Sequence, residues 1–152
     1  MWNQRAYRRH LPHFQNRDRT YLVTFVTHNR WVLPNVARDI ALAEVVRHHE
    51  QSAFILTCVV MPEHVHVVMQ PIESALSEIL RLMKGRSSRA INLALQRCGS
   101  VWQQESHDYQ IRTAESLVRK CDYVAMNPMR KGLCSSVDEW PWLFRWWTKR
   151  TG

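Results

Sequence analysis

Phe54-Ile55-Leu56-Thr57-Cys58-Val59-Val60 and His64-Val65-His66-Val67-Val68-Met69 stand on either side of Met61-Pro62-Glu63. Two short apolar runs, rich in β-branched residues and separated by a proline turn, read as the arms of an antiparallel hairpin. A strand sends residues i and i+2 to the same face. His64 and His66 therefore present two imidazoles side by side, while Val65, Val67 and Met69 turn the other way into a core. A rigid imidazole pair can hold a divalent metal through neutral ring nitrogens. Two half-exposed strand histidines are the plainer reading, and the spacing alone leaves both open.

Outward from the hairpin, Thr20 to Thr27 alternates aromatic and β-branched residues and reads as a strand. Pro34-Asn35 precedes a helical stretch, Val36 to Glu50, with apolar positions Val36, Ile40, Ala43 and Val46. Ser74 to Leu95 is a second helical stretch, striped by Leu76, Leu80, Met83, Ile91 and Leu95, with Gly85 as a candidate break. Val101 to Gln103 and Tyr109 to Arg112 read as short edge strands. Thr113 is a candidate N-cap for a third helix, which Pro128 is expected to end near Met126, because the residue before a proline is pushed out of the α region. The order β-α-β-β-α-(β)-α predicts an α+β domain, a twisted antiparallel sheet with helices packed on one face.

The 152 residues suit a single domain, 1–152, with a basic arm over 1–19 and a tryptophan-rich basic tail over 135–152. No apolar run reaches the length of a membrane span, and the first residues lack the apolar core of a signal peptide. A cytoplasmic, nucleoid-associated protein with no membrane partner is expected. The net charge is +8, which points to a polyanionic partner. The excess is clustered. Arg5, Arg8, Arg9, Arg17, Arg19 and Arg30 face one acid, Asp18, in the first thirty residues. Arg81, Lys84, Arg86, Arg89 and Arg97 share a segment with no acid. Arginine outnumbers lysine in both, which suits bidentate phosphate contacts and stacking on bases. His10 and His13 lie within the arginine arm and are candidate DNA contacts. Cys58, Cys98, Cys121 and Cys134 are far apart and suggest neither a zinc knuckle nor a disulfide framework.

Four tyrosines are candidates for nucleophilic chemistry: Tyr7, Tyr21, Tyr109 and Tyr123. Tyr123 falls in the third helix, with Asn127 one turn later on the same side. A phenol and a carboxamide there could both point at a metal held by the histidine pair. A core aromatic and a helix C-cap are the plainer readings of the two residues.

The chain resembles the single-tyrosine HUH nucleases, and among them the REP-associated tyrosine transposases. The likeness is carried by Val60-Met61-Pro62-Glu63-His64-Val65-His66 and by the run from Asp122-Tyr123 through Asn127-Pro128-Met129-Arg130-Lys131-Gly132-Leu133. Arg9-His10-Leu11-Pro12-His13 leading into Tyr21-Leu22-Val23-Thr24-Phe25 also belongs to it. So do Lys84-Gly85-Arg86-Ser87-Ser88-Arg89-Ala90-Ile91-Asn92, Val101-Trp102-Gln103 and Trp140-Pro141. These motifs fall in the family's order along nearly the whole chain. Gln104-Glu105-Ser106-His107 and Trp142-Leu143-Phe144 depart from the pattern, at positions that bear on which DNA is recognised.

The resemblance implies a ferredoxin-like sheet with the histidines on a central strand and the tyrosine on a helix. It implies Tyr123 as nucleophile, with His64, His66 and Asn127 as ligands of Mg2+ or Mn2+. The implied activity is cleavage and rejoining of single-stranded DNA beside REP-type hairpins through a 5′-phosphotyrosine. Such an exchange keeps the bond energy and needs no nucleotide cofactor. With the arm, the arginine segment Arg81 to Arg89 and the pair Arg130 and Lys131 are expected to meet DNA. The REP-associated branch implies a monomer. A domesticated hairpin-binding protein without turnover is the alternative.

Overall fold

The computed structural model describes residues 19–146. Eight regular elements follow one another: β1 (Tyr21–Val26), α1 (Asn35–Arg47), β2 (Ala53–Val60), β3 (His64–Pro71), α2 (Leu76–Leu95), β4 (His107–Gln110), α3 (Ala114–Arg130) and β5 (Leu143–Arg145). The strands form one antiparallel sheet in the order β4-β1-β3-β2-β5. This is the expected fold class, with both histidines on the central strand β3.

The hairpin forms because alternation and turn agree. Met61 N–H donates to the His64 carbonyl at 2.8 Å across the Met61-Pro62-Glu63 turn. All eight residues of β2 are buried, as are all of β3 except His64. A strand buried along its whole length must be covered on both faces. The helices accordingly occupy both faces rather than the single face expected. Val23 and Phe25 of β1 share a face with their partners Val67 and Val65. Phe25 meets Trp102 edge to face at 4.9 Å, and the Trp102 indole donates to Ser87 of α2 at 2.9 Å. That face carries α2, against which α1 packs. His64 and His66 lie on the opposite face, with α3.

Three expectations from periodicity change. The face of α1 that is buried is Ala37, Ala41, Glu44 and Val45, while Val36 is exposed. The apolar stripe misled because a polar pair, Glu44 and His48, lies on the inner side. Helix α2 passes through Gly85 without a break. Helix α3 runs past Pro128 to Arg130. Proline removes only one intrahelical bond there, and the helix closes soon afterwards. Leu133 N–H donates to the Pro128 carbonyl at 2.9 Å and Gly132 N–H to the Met129 carbonyl at 3.0 Å. Gly132 sits at φ 74°, so the end is a Schellman motif. At the other end, the Thr113 hydroxyl accepts from Ser116 N–H at 3.0 Å, as the N-cap reading required.

The tail contributes to the sheet. β5 pairs with β2, and the Trp140 indole donates to the Val60 carbonyl at 3.1 Å. Val101 to Gln103 makes only an isolated bridge, Trp102 to Thr27. The second edge strand is β4, shifted from the expected Tyr109 to Arg112. Of the cysteines, Cys58 and Cys121 are buried, Cys98 is exposed, and all four are free thiols.

Candidate active site

The rings of His64 and His66 are 4.6 Å apart, and the Tyr123 ring is 5.7 Å from that of His66. Strand β3 supplies the pair because its pleat points both imidazoles toward α3. Helix α3 supplies Tyr123, 42% exposed, so its ring touches the site while its edge is open to an incoming group. Asn127 follows one turn later and is buried. Lys131 caps the helix, so the capping reading of Asn127 is replaced by a position inside the last turns. Arg130 places its guanidinium 5.4 Å from the centre of the Tyr123 ring.

Thr24 was not singled out in the sequence. It pairs with His66 across β1 and β3, and its hydroxyl lies 2.7 Å from His66 Nδ1. With the proton on Nδ1 donated to Thr24, Nε2 is left as the free lone pair. Only the strand register, which alternation cannot supply, could have found this contact. Burial pushes the His66 pKa down to about 4, and the neighbouring His64, against whose protonation it would have to charge, and Lys131 add to this. Burial also lowers the pKa of His64; Glu63 opposes this, while Lys131 and Arg30 add to it. Both imidazoles are therefore held neutral, the form that binds metal.

The Glu63 carboxylate lies 3.6 Å from Arg30. Asn29 and Arg30 both adopt φ 55°, a left-handed conformation that costs a bulky residue roughly 1–2 kcal/mol. That turn carries Arg30 to the mouth of the hairpin.

No group of three or more His, Cys, Asp or Glu side chains that could hold a metal occurs among the described residues. If the carboxamide of Asn127 joined the two imidazoles, the set would be sparse and would leave coordination positions for phosphate and water oxygens. Such a set would suit Mg2+ or Mn2+ better than a closed structural site does.

The expected DNA contacts are spread over the molecule. Arg130 stands beside Tyr123, and Lys131 acts electrostatically on His64 and His66. Arg19 lies just before β1. Arg5, Arg8, Arg9, His10, His13 and Arg17 lie outside the described residues. Arg81, Lys84, Arg86 and Arg89 are on α2, on the far face of the sheet. Three of these four are engaged within the protein: Arg81 with Glu78 at 2.6 Å, Lys84 with the Gln104 carbonyl at 2.9 Å, and Arg86 with Glu44 at 4.0 Å. A groove of about 810 Å3 between α2 and β4 is lined by Arg81 and Lys84. It is remote from the histidines, because its Tyr21 and Asp108 walls point to the α2 face.

The structure is similar to that of a REP-associated tyrosine transposase bound to a REP hairpin, with a TM-score of 0.70, 22% identity, and 83% of this chain and 76% of that one covered. A protein of Deinococcus radiodurans described as a transposase has the same fold at a TM-score of 0.52 and 14% identity, with 75% and 89% covered. A curated protein of Haemophilus influenzae (strain Rd), named as a REP-associated tyrosine transposase, is 23% identical over 139 residues, 84% of this chain and 73% of its own. The family model for IS200-like transposases matches residues 17–124, taking in His64, His66 and Tyr123 and stopping short of Asn127. The chain belongs to the IS200-like transposase family.

Proposed function

We propose that this transposase cuts and rejoins single-stranded DNA beside a hairpin, with Tyr123 as the nucleophile. One observation carries the reading: the rings of Tyr123, His64 and His66 stand together within a single chain. His64 and His66, with Asn127, would hold Mg2+ or Mn2+, which when bound neutralises charge on the scissile phosphate.

Each remaining part has a task for a residue of this chain. Tyr123 Oη forms a bond to the scissile phosphorus as the bond to the 3′ oxygen breaks. The phenolic proton leaves and the 3′ oxygen takes one up. The products are a 5′-phosphotyrosine and a 3′ hydroxyl, and reversal with another 3′ end rejoins the strand. Arg130 and Lys131 set positive charge beside the phosphate. Thr24 fixes the His66 ring, as partners behind a ligating histidine do. DNA hairpins as partner follow from the named relatives together with the +8 net charge. A site complete in one chain supports action as a monomer.

The test is a labelled hairpin oligonucleotide incubated with the protein and Mn2+, then run on a denaturing gel. A covalent adduct with release of the strand on the other side of the cut is expected. Tight hairpin binding with no adduct in Mn2+ or Mg2+ would favour a catalytically silent binding protein.

A further inference from the structure

We propose that Tyr109 and Lys120 form a subsite that stacks a nucleobase of the single strand flanking the scissile phosphate. It rests on the reading of a strand-cleaving site at His64, His66 and Tyr123. The register shows why these groups belong together. Thr24 pairs with His66 on one side and His107 on the other, while Leu22 pairs with Val68 and Tyr109. Residues paired across strands share a face, so His107 and Tyr109 lie on the histidine face. With strands about 4.8 Å apart, Tyr109 stands roughly 10 Å across the sheet from the β3 row. That is close enough for a nucleotide near the one being cut.

Among the described residues this half of the face is the less covered one. Helix α3 packs against β2 and β3. Leu22, Thr24 and Val26 of β1 are half-buried on the histidine side, whereas Val23 and Phe25 are buried on the other. Tyr109 is 54% exposed, and Lys120 Nζ sits 4.6 Å from its ring centre. Lys120 lies one turn before Tyr123 on α3, so the helix presents Lys120, Tyr123 and Arg130 along one side. An exposed aromatic ring beside a cation, continuous with a basic stripe, is the platform single-strand binders use. Asp108, the acid next to Tyr109, pairs with Val23 and so faces away. An exposed aromatic on an edge strand can also pair with another chain, which is the competing outcome below.

Hairpin oligonucleotides with a 5′ flank, a 3′ flank, both or neither would be titrated by fluorescence anisotropy into the wild type, Tyr109→Phe, Tyr109→Ala and Lys120→Gln. One flank should tighten wild-type binding. Tyr109→Ala should weaken binding of that flanked hairpin by roughly ten- to a hundredfold, Lys120→Gln by less, and Tyr109→Phe hardly at all. None should change affinity for the blunt hairpin. A single abasic position in the flank should erase the difference between wild type and Tyr109→Ala. Equal binding of flanked hairpin by wild type and Tyr109→Ala would overturn the subsite. So would an equal loss on the blunt hairpin, or a dimer that Tyr109→Ala converts to monomer in sedimentation. Adduct formation, scored on the same samples, reports separately on the cleavage reading. An adduct with an indifferent Tyr109 defeats only the subsite, and a flank effect with no adduct in any sample defeats only the cleavage.

Discussion

Thr24 and His66 share the contact that a single atom can remove. Thr24→Val keeps the shape of the side chain and deletes the hydroxyl 2.7 Å from Nδ1. Loss of such a partner typically costs ten- to a hundredfold in metal affinity. Adduct formation by Thr24→Val is expected to need a correspondingly higher Mn2+ concentration, with the same yield at saturation and a melting temperature close to wild type. A second contact concerns stability. His48 and Glu44 are buried together, His48 Nε2 facing Glu44 Oε1 at 3.4 Å and Nδ1 sharing a hydrogen bond of 2.6 Å with Ser52. Burial lowers the His48 pKa, while Glu44 opposes this. A histidine that resists protonation in the fold takes its proton more readily when unfolded. Its contribution to stability is therefore full above about pH 6.5 and falls as the pH drops below that value. Melting temperatures measured from pH 7.5 to 5 should decline, and His48→Gln should show a shallower decline. An identical decline in both would remove His48 as a cause.

Among the elements, the hairpin was legible because alternation and the Met61-Pro62-Glu63 turn both fix it locally. The third helix was legible at its start, where Thr113 caps it, and illegible at its end. Pro128 outweighed the Gly132 signal four residues later, although Gly132 at φ 74° is what closes the helix. The partner face of α1 was hidden because Glu44 and His48, polar by type, are turned inward. β5 is only three residues long, and tryptophans that dock on a sheet edge carry no period. The uninterrupted apolar run of β2 did hold a clue to helices on both faces. The candidate site was legible in its residue types and not in its supports: His64, His66 and Tyr123 are named by spacing and by resemblance, whereas the Thr24 contact and the place of Tyr109 on the histidine face need the register. The cap can be tested alone, since a Cβ at Gly132 would meet nothing within 4 Å. Gly132→Ala should cost about 1 kcal/mol from the left-handed backbone, or roughly 2–4 °C in melting temperature. No change in thermal unfolding would remove the Schellman end as a source of stability.

For the whole molecule, the arrangement places Tyr123 and both imidazoles together on one polypeptide. Equimolar Tyr123→Phe and the double variant His64→Ala/His66→Ala are each expected to be inactive, and their mixture to stay inactive. Recovery of adduct in the mixture would show sites shared between two copies. The central claim is that Tyr123 of a folded single chain attacks the phosphate. It is tested most directly by trapping the adduct with a hairpin oligonucleotide in Mn2+, digesting it, and locating the nucleotide by mass spectrometry. The modification is expected on the peptide containing Tyr123, absent from Tyr123→Phe, with hairpin affinity of that variant unchanged. A nucleotide found on Tyr109, or an adduct that persists in Tyr123→Phe, would contradict this account.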